Sequence, residues 1–202
     1  MKFASATWSD ALDQLRIRGV MEGLVLRSGA GSILGPALTV KETTGEFPVE
    51  EFGIANVIEA ITPGAILVFD VGGEAISTFG GLAAIAARNK GASGVIIDGA
   101  CRDLAEIQNT GLWLASRRLT PLSGKGRIKT EAIGAPVTAG GIEVKLGDFI
   151  AADETGILRI PGDRLREAAE IAHQLQSRDE IFAKALRAGE SFRAAADRLK
   201  HL

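Results

Sequence analysis

The 202-residue sequence predicts an α/β fold with a central β-α-β unit, an antiparallel, hairpin-rich second half and a helical C-terminal tail. Three observations carry that expectation. AILVFDV (65–71) and GVIID (94–98) are continuous apolar runs, the mark of strands covered on both faces, and the alanine-rich GLAAIAARNKG (81–91) lies between them. From 105 to 160, short β-type stretches alternate with Gly-containing turns. From 162 to 202 the spacing is helical.

Taken in order, Thr7 followed three residues later by Asp10 reads as a capping box for a short first helix, with Gly19 as its stop. GLVLR (23–27) and PALTVKE (36–42) read as strands, and EEFGIANVIEAI (50–61) as a helix closed by Pro63-Gly64. The β-α-β unit comes next, with parallel strands and a right-handed crossover expected. GLWLAS, APVTAGG, IEVKLGDFIAAD and GILRIP supply short strands, with turns at Gly140-Gly141, Gly147-Asp148 and 154–156. The tail divides into two or three helices broken near Ser177 and Gly189. Residues 1–161 are read as an α/β core and 162–202 as a helical extension of the same domain.

The chain is 46% hydrophobic and 24% charged, a soluble globular profile. A net charge of −2 gives no basic footprint for nucleic acid or anionic lipid. The N-terminal stretch turns acidic and amphipathic too soon for a signal peptide, and no apolar run approaches a membrane span. The lone Cys101 excludes an internal disulfide framework, so a cytoplasmic protein is expected.

Chemistry concentrates in VGGEAISTFGG (71–81) and DGACRD (98–103), which the β-α-β reading brings to the carboxyl ends of neighbouring strands, over one crevice. The N–H groups of Gly81, Leu82 and Ala83 open a helix and form an anion site. Arg102 can grip a carboxylate with two hydrogen bonds, and Asp103 offers a hard oxygen ligand for Mg²⁺. Together they suit a small 2-oxo acid with its keto oxygen on the metal. The plainer alternative makes Arg102 and Asp103 an exposed turn, with Asp103 an N-cap for residues 104–109. His173 and His201 lack a His/Cys cluster for zinc, Cys101 reads as a small semi-buried residue, and the basic loop SGKGRIK (123–129) is either solvated or a contact for an anionic tail.

GVIIDGACRD, preceded by FGGLAAIAARNKGA, resembles the family of ribonuclease E activity regulator A-like proteins and 4-hydroxy-4-methyl-2-oxoglutarate/4-carboxy-4-hydroxy-2-oxoadipate aldolases. SDAL (9–12), GPALTV (35–40), PGAILVFD (63–70), 135–161 and ALRAGES (185–191) extend the likeness over nearly the whole chain. The resemblance implies an α/β/β layered fold, a homotrimer or homohexamer, and a site at the subunit interface. It implies that Arg102 binds pyruvate and that Asp103 holds a divalent metal, Mg²⁺ or Mn²⁺, and it suggests that Asp179 or Glu180 reaches a neighbour's site.

The aspartate favours an enzyme over the non-catalytic trimeric regulators, which form the rival reading. One departure stands out. Aldolase members read Gly-Asp/Glu-Leu where this chain has Gly80-Gly81-Leu82, so the acid/base carboxylate is missing, and Glu74 in the same loop is the candidate substitute. Decarboxylation of oxaloacetate needs no base to remove a hydroxyl proton, so a glycine at 81 favours it over aldol cleavage. The expectation is therefore a metal-dependent carbon–carbon lyase acting on 2-oxo acids.

Overall fold

The computed structural model describes residues 3–199. The chain begins with α1 (Ser5–Gln14), β1 (Val20–Met21), β2 (Val25–Ser28), β3 (Ile33–Thr44), a 3-10 turn at Val49–Glu51 and α2 (Ile54–Glu59). The central part is β4 (Ile66–Asp70), β5 (Ser77–Phe79), α3 (Gly81–Asn89), β6 (Gly94–Cys101), α4 (Leu104–Thr110) and β7 (Trp113–Leu119). Then come β8 (Ile128–Ile133), β9 (Val137–Ala139), β10 (Ile142–Val144), β11 (Phe149–Ala152) and β12 (Ile157–Ile160), and finally α5 (Leu165–Arg187) and α6 (Phe192–Leu199).

Ten strands form one sheet in the order β1-β12-β11-β3-β4-β6-β7-β2, with β5 on β6 and β8 on β3; β9 and β10 make a separate hairpin. β4 and β6 are parallel neighbours, Ile66 opposite Gly94 and Asp70 opposite Asp98. Side chains alternate along each strand. Leu67, Phe69, Val95 and Ile97 therefore face α2, α3 and α4, where Val57, Ala84, Ala87 and Ile107 meet them. Ile66, Val68 and Ile96 face the other way, against Val137, Ala139, Ile142 and Val144 of the hairpin. Both faces are covered, which is why the runs are continuously apolar. A third cluster packs Trp8, Ala11 and Leu12 of α1 and Ala168, Ala169 and Ala172 of α5 on β11 and β12.

Asp70 and Asp98 fasten the hairpin layer. Asp70 accepts from Lys41 Nζ at 2.8 Å and from the Thr138 amide at 2.9 Å. Asp98 takes the Arg117 guanidinium through both carboxylate oxygens and the Gly140 amide at 2.7 Å. Burial works to raise the Asp70 carboxyl, but the Lys41 ion pair and the Thr138 and Gly72 amides outweigh it and hold it below its ordinary value.

Several expectations are corrected. The first helix starts at Ser5 rather than after Thr7, with no side-chain cap, because Ser5 donates its amide (2.7 Å) and its hydroxyl (2.6 Å) to Asp153 across the fold. It ends before Arg16, which adopts a left-handed conformation, rather than at Gly19. The 50–61 segment splits into the 3-10 turn and α2. β7 is parallel to β6, so the hairpin-rich region begins later than 105, after β7. Ser177 does not break the tail; its hydroxyl donates to the His173 carbonyl at 2.9 Å, and α5 continues to Arg187. No helix among the described residues is long and apolar enough to cross a membrane.

Candidate active site at the carboxyl ends of the parallel strands

Asp98-Gly99 has the composition of a turn but does not end β6. The register of β6 against β7 shifts between Ile97 and Ala100, so these residues form a bulge and the strand runs on, fully buried, to Cys101. A bulge bends a strand and re-aims the residues beyond it. Here it re-aims Arg102, whose amide donates to the Phe79 carbonyl at 3.0 Å. The loop expected after β4 also contains more order than its glycines suggest. Gly72 and Gly73, at φ of 66° and 78°, turn the chain so that β5 re-enters the sheet along the edge of β6 that β4 has vacated.

Asp103 sits in the left-handed region, φ 57° and ψ 43°, at the N-cap position of α4. Asp tolerates this better than most residues, yet the conformation is strained, and such strain clusters at functional sites. Its carboxylate makes no capping bond to α4. Instead Oδ2 turns across the cleft to the Gly81 amide at 3.2 Å and lies 3.4 Å from Arg102 Nε. The N-cap reading thus holds for the backbone position and not for the side chain. The Gly81 amide is spoken for; Leu82 and Ala83, in the same first turn of α3, keep N–H groups without helical acceptors.

A cleft of about 520 Å³ opens here, lined by Gly80, Leu82, Ala83, Arg102 and Asp103 together with Thr78, Phe79 and Phe52. It brings together most of the residues expected from the sequence. Glu74 is exposed on its loop and is not part of the lining. Asp179 and Glu180 are exposed on α5, where Glu180 accepts from Gln176. His173 belongs to a different groove, between α1 and α5, and His201 lies outside the described residues. Cys101 is fully buried, its Sγ 3.5 Å from Ser116 Oγ, and burial pushes its thiol above the ordinary value.

Two further charged residues line the cleft, one of them in the loop that the sequence offers as a contact for an anionic tail. Lys125, from the basic 123–129 loop, reaches the cleft, and from Ile128 onward that segment is β8. Glu106, three residues after Asp103, also lines it, and a Cβ built on Gly81 would overlap its Oε2 and lie 2.7 Å from its own Cβ. The place of the missing side chain at 81 is filled by Glu106. One turn of the expected 104–109 helix would have pointed to it, since i and i+3 share a face.

Asp103 and Glu106 offer hard carboxylate oxygens to one cleft, and among the described residues no group of three His, Cys, Asp or Glu could enclose a metal ion. That donor set fits Mg²⁺ or Mn²⁺, which accept one or two protein carboxylates and leave other positions to water and substrate.

Cationic and anionic side chains thus meet around a helix start at the carboxyl ends of parallel strands, the usual ligand position of an α/β fold. The sequence matches the RraA-like family, described as Aldolase/RraA, over residues 5–159, and the chain belongs to that family. It is 29% identical over 195 residues to the protein DlpA of Legionella pneumophila, covering 96% of this chain but only about a third (32%) of that longer protein. It is 34% identical over 109 residues to 4-hydroxy-4-methyl-2-oxoglutarate aldolase of Thermus thermophilus, covering 54% of this chain and 66% of that one. A crystal structure of an uncharacterized protein from Pseudomonas syringae superposes with a TM-score of 0.88 at 26% identity, covering 97% of this chain and 90% of that one.

Proposed function

We propose that the protein is a divalent-metal-dependent lyase that breaks a carbon–carbon bond in small 2-oxo acids, by decarboxylating oxaloacetate, by releasing pyruvate from an aldol of the 4-hydroxy-4-methyl-2-oxoglutarate type, or both. The observation that carries the reading is the meeting of Arg102, Asp103 and Glu106 with the open N-terminus of α3 in one cleft. The Leu82 and Ala83 amides and Arg102 hold the substrate's 1-carboxylate and the oxygen that becomes anionic. Mg²⁺ or Mn²⁺ held at Asp103 would polarise the 2-keto group.

In oxaloacetate the C3–C4 bond breaks, its electron pair moves into the enolate, carbon dioxide leaves, and C3 then takes a proton. In the aldol, the C4 hydroxyl must also lose a proton, and Glu106, standing where a carboxylate at 81 would project, is the base within the cleft. Glu106 thereby takes the role expected of Glu74. Lys125 is placed for a second carboxylate of either substrate. Assembly as a trimer or hexamer belongs to the same proposal: Leu82, 82% exposed, and Ile85 present an apolar face of α3 beside the cleft for a second copy to cover.

The test is pyruvate release from each substrate with Mg²⁺ or Mn²⁺. Activity abolished by EDTA and reduced by about 10²-fold or more in Arg102→Ala and Asp103→Ala supports the reading. A rate that ignores chelation, or no release from either substrate with metal present, overturns it in favour of a non-catalytic binding protein.

A further inference from the structure

One hydroxyl group behind the cleft wall lies a carboxyl group that this chemistry does not use. Glu42 of β3 is 3% exposed, on the strand face that Val40 turns to the helical layer. Its Oε1 accepts from Thr78 Oγ1 at 2.8 Å and from Thr130 Oγ1 at 3.4 Å, while Oε2 is buried without a partner. Thr78 itself lines the cleft, at the bulge where β5 slips against β6.

The charged groups on the surrounding elements leave Glu42 uncompensated. Lys41, its neighbour on β3, pairs with Asp70 of β4 on the hairpin side. Lys129 and Glu131 flank Thr130 on β8, and Lys129 pairs with Glu51 of the 3-10 turn, next to Glu50. β5 carries no charge, and the ionic groups of the cleft are Arg102, Asp103, Glu106 and Lys125. Burial raises the Glu42 carboxyl to about 7, against the two threonine hydroxyls that lower it.

A threonine hydroxyl has one hydrogen and two lone pairs, and it rotates to suit its partners. When Glu42 is ionised, that hydrogen is drawn back to the carboxylate and the cleft sees only lone pairs. When Glu42 is protonated, its O–H can donate to Thr78 Oγ1, and the Thr78 hydrogen can point into the cleft.

We propose that Glu42 is a positioning residue acting through Thr78, a proton-holding group whose protonation turns the Thr78 hydroxyl into a hydrogen-bond donor for an anionic ligand in the cleft. Binding of the anion therefore draws one proton from solvent, handed from the cleft to Thr78 Oγ1 as the Thr78 proton passes to Glu42. The inference rests on the 2-oxo-acid reading for its probe ligand, oxalate with Mg²⁺, and for nothing else.

Calorimetric titration of the full chain with oxalate and Mg²⁺, in two buffers of different ionisation enthalpy, measures the proton uptake. Wild-type protein should take up a proton above about pH 7, and its affinity should fall toward tenfold per pH unit there. Glu42→Gln should bind with no uptake and a flat pH profile. Thr78→Val should bind more weakly than wild type below about pH 7, where the wild-type hydroxyl donates, and the difference should shrink as pH rises. Uptake that survives in Glu42→Gln, or wild-type affinity that is flat with pH, overturns the proposal while leaving the lyase reading untouched.

If oxalate produces no heat, the 2-oxo-acid reading fails separately, and the ligand-free protein decides the rest. The infrared carbonyl band of a protonated carboxyl, identified by its loss in Glu42→Gln, should vanish near pH 7 in wild type and at a higher pH in Thr78→Val. A band that Thr78→Val does not move, or no such band, overturns the coupling.

Discussion

Replacing Glu42 by glutamine removes an ionisable group and almost nothing else. The amide keeps the shape of the protonated acid, its oxygen can still accept from Thr78, and its nitrogen takes the place of the unpartnered Oε2. The carboxyl is raised from 4.5 to about 7 on folding. A difference of roughly 2.5 units corresponds to about 3 kcal/mol. The sign is set by proton counts. Below the unfolded value of 4.5 both states hold the proton and nothing is lost. Between 4.5 and about 7 the unfolded chain has released a proton that the folded protein keeps, so wild-type stability falls as pH rises through that window and levels off above it.

Glu42→Gln escapes the fall. Urea unfolding of both proteins from about pH 4.5 to about pH 8.5 should show no difference at the acid end and a glutamine advantage approaching about 3 kcal/mol at the alkaline end. In a melting scan that is roughly 6–12 °C for a chain of this size. Because the two proteins are compared at each pH, the titration of Asp70, Asp153 and other shared groups cancels. An offset independent of pH, or a wild type that gains on the variant as pH rises, would refute the argument that burial governs this group.

Asp98→Ala should destabilise the fold by about 3 kcal/mol in urea titration, because it strands the half-buried Arg117 guanidinium and the Gly140 amide together; amide exchange should accelerate first in 137–144. Glu106→Ala should lower aldol cleavage about 10²–10⁴-fold and decarboxylation far less. Adding Gly81→Asp to that variant should restore cleavage, whereas Gly81→Asp alone should be destabilised by about 1–3 kcal/mol because Glu106 occupies the same space. Light scattering should find a trimer or hexamer at micromolar concentration, shifted toward monomer in Leu82→Asp; a monodisperse wild-type monomer would refute the assembly.

The β-α-β core was legible because covering both faces of a strand leaves a simple trace, an unbroken apolar run, at 65–69 and 94–97. Arg102 and Asp103 were legible for a related reason: opposite charges side by side a few residues beyond such a run are out of place unless they do something. β5 was not legible, since three residues carry no period, and Ser77, Thr78 and Phe79 take their place from the edge of β6. The Asp98-Gly99 bulge imitates a turn in composition, and only the strands on either side show that the ladder resumes. The first helix starts earlier than its capping pattern predicts because Ser5 is satisfied by Asp153, a partner 148 residues away, and local capping rules see nothing at that range. Glu42 and Thr78 are 36 residues apart, and neither is unusual until β3 and β5 lie together.

β6 has a partner on each edge along its length, β4 and then β5 on one side and β7 on the other. A strand so enclosed cannot yield by degrees, because a slip of one residue would send its Val and Ile side chains to the opposite layer and Arg102 with them. The placement of the arginine is therefore digital rather than adjustable. Substitutions that loosen the cores around β6 should lower the amount of folded protein while each folded molecule turns over at the wild-type rate. Specific activity, normalised to folded protein, and expression yield should vary independently across a library of core variants. Changes in rate should then map to the residues after Cys101 and before Ala84, where the chain leaves the ladder and can move.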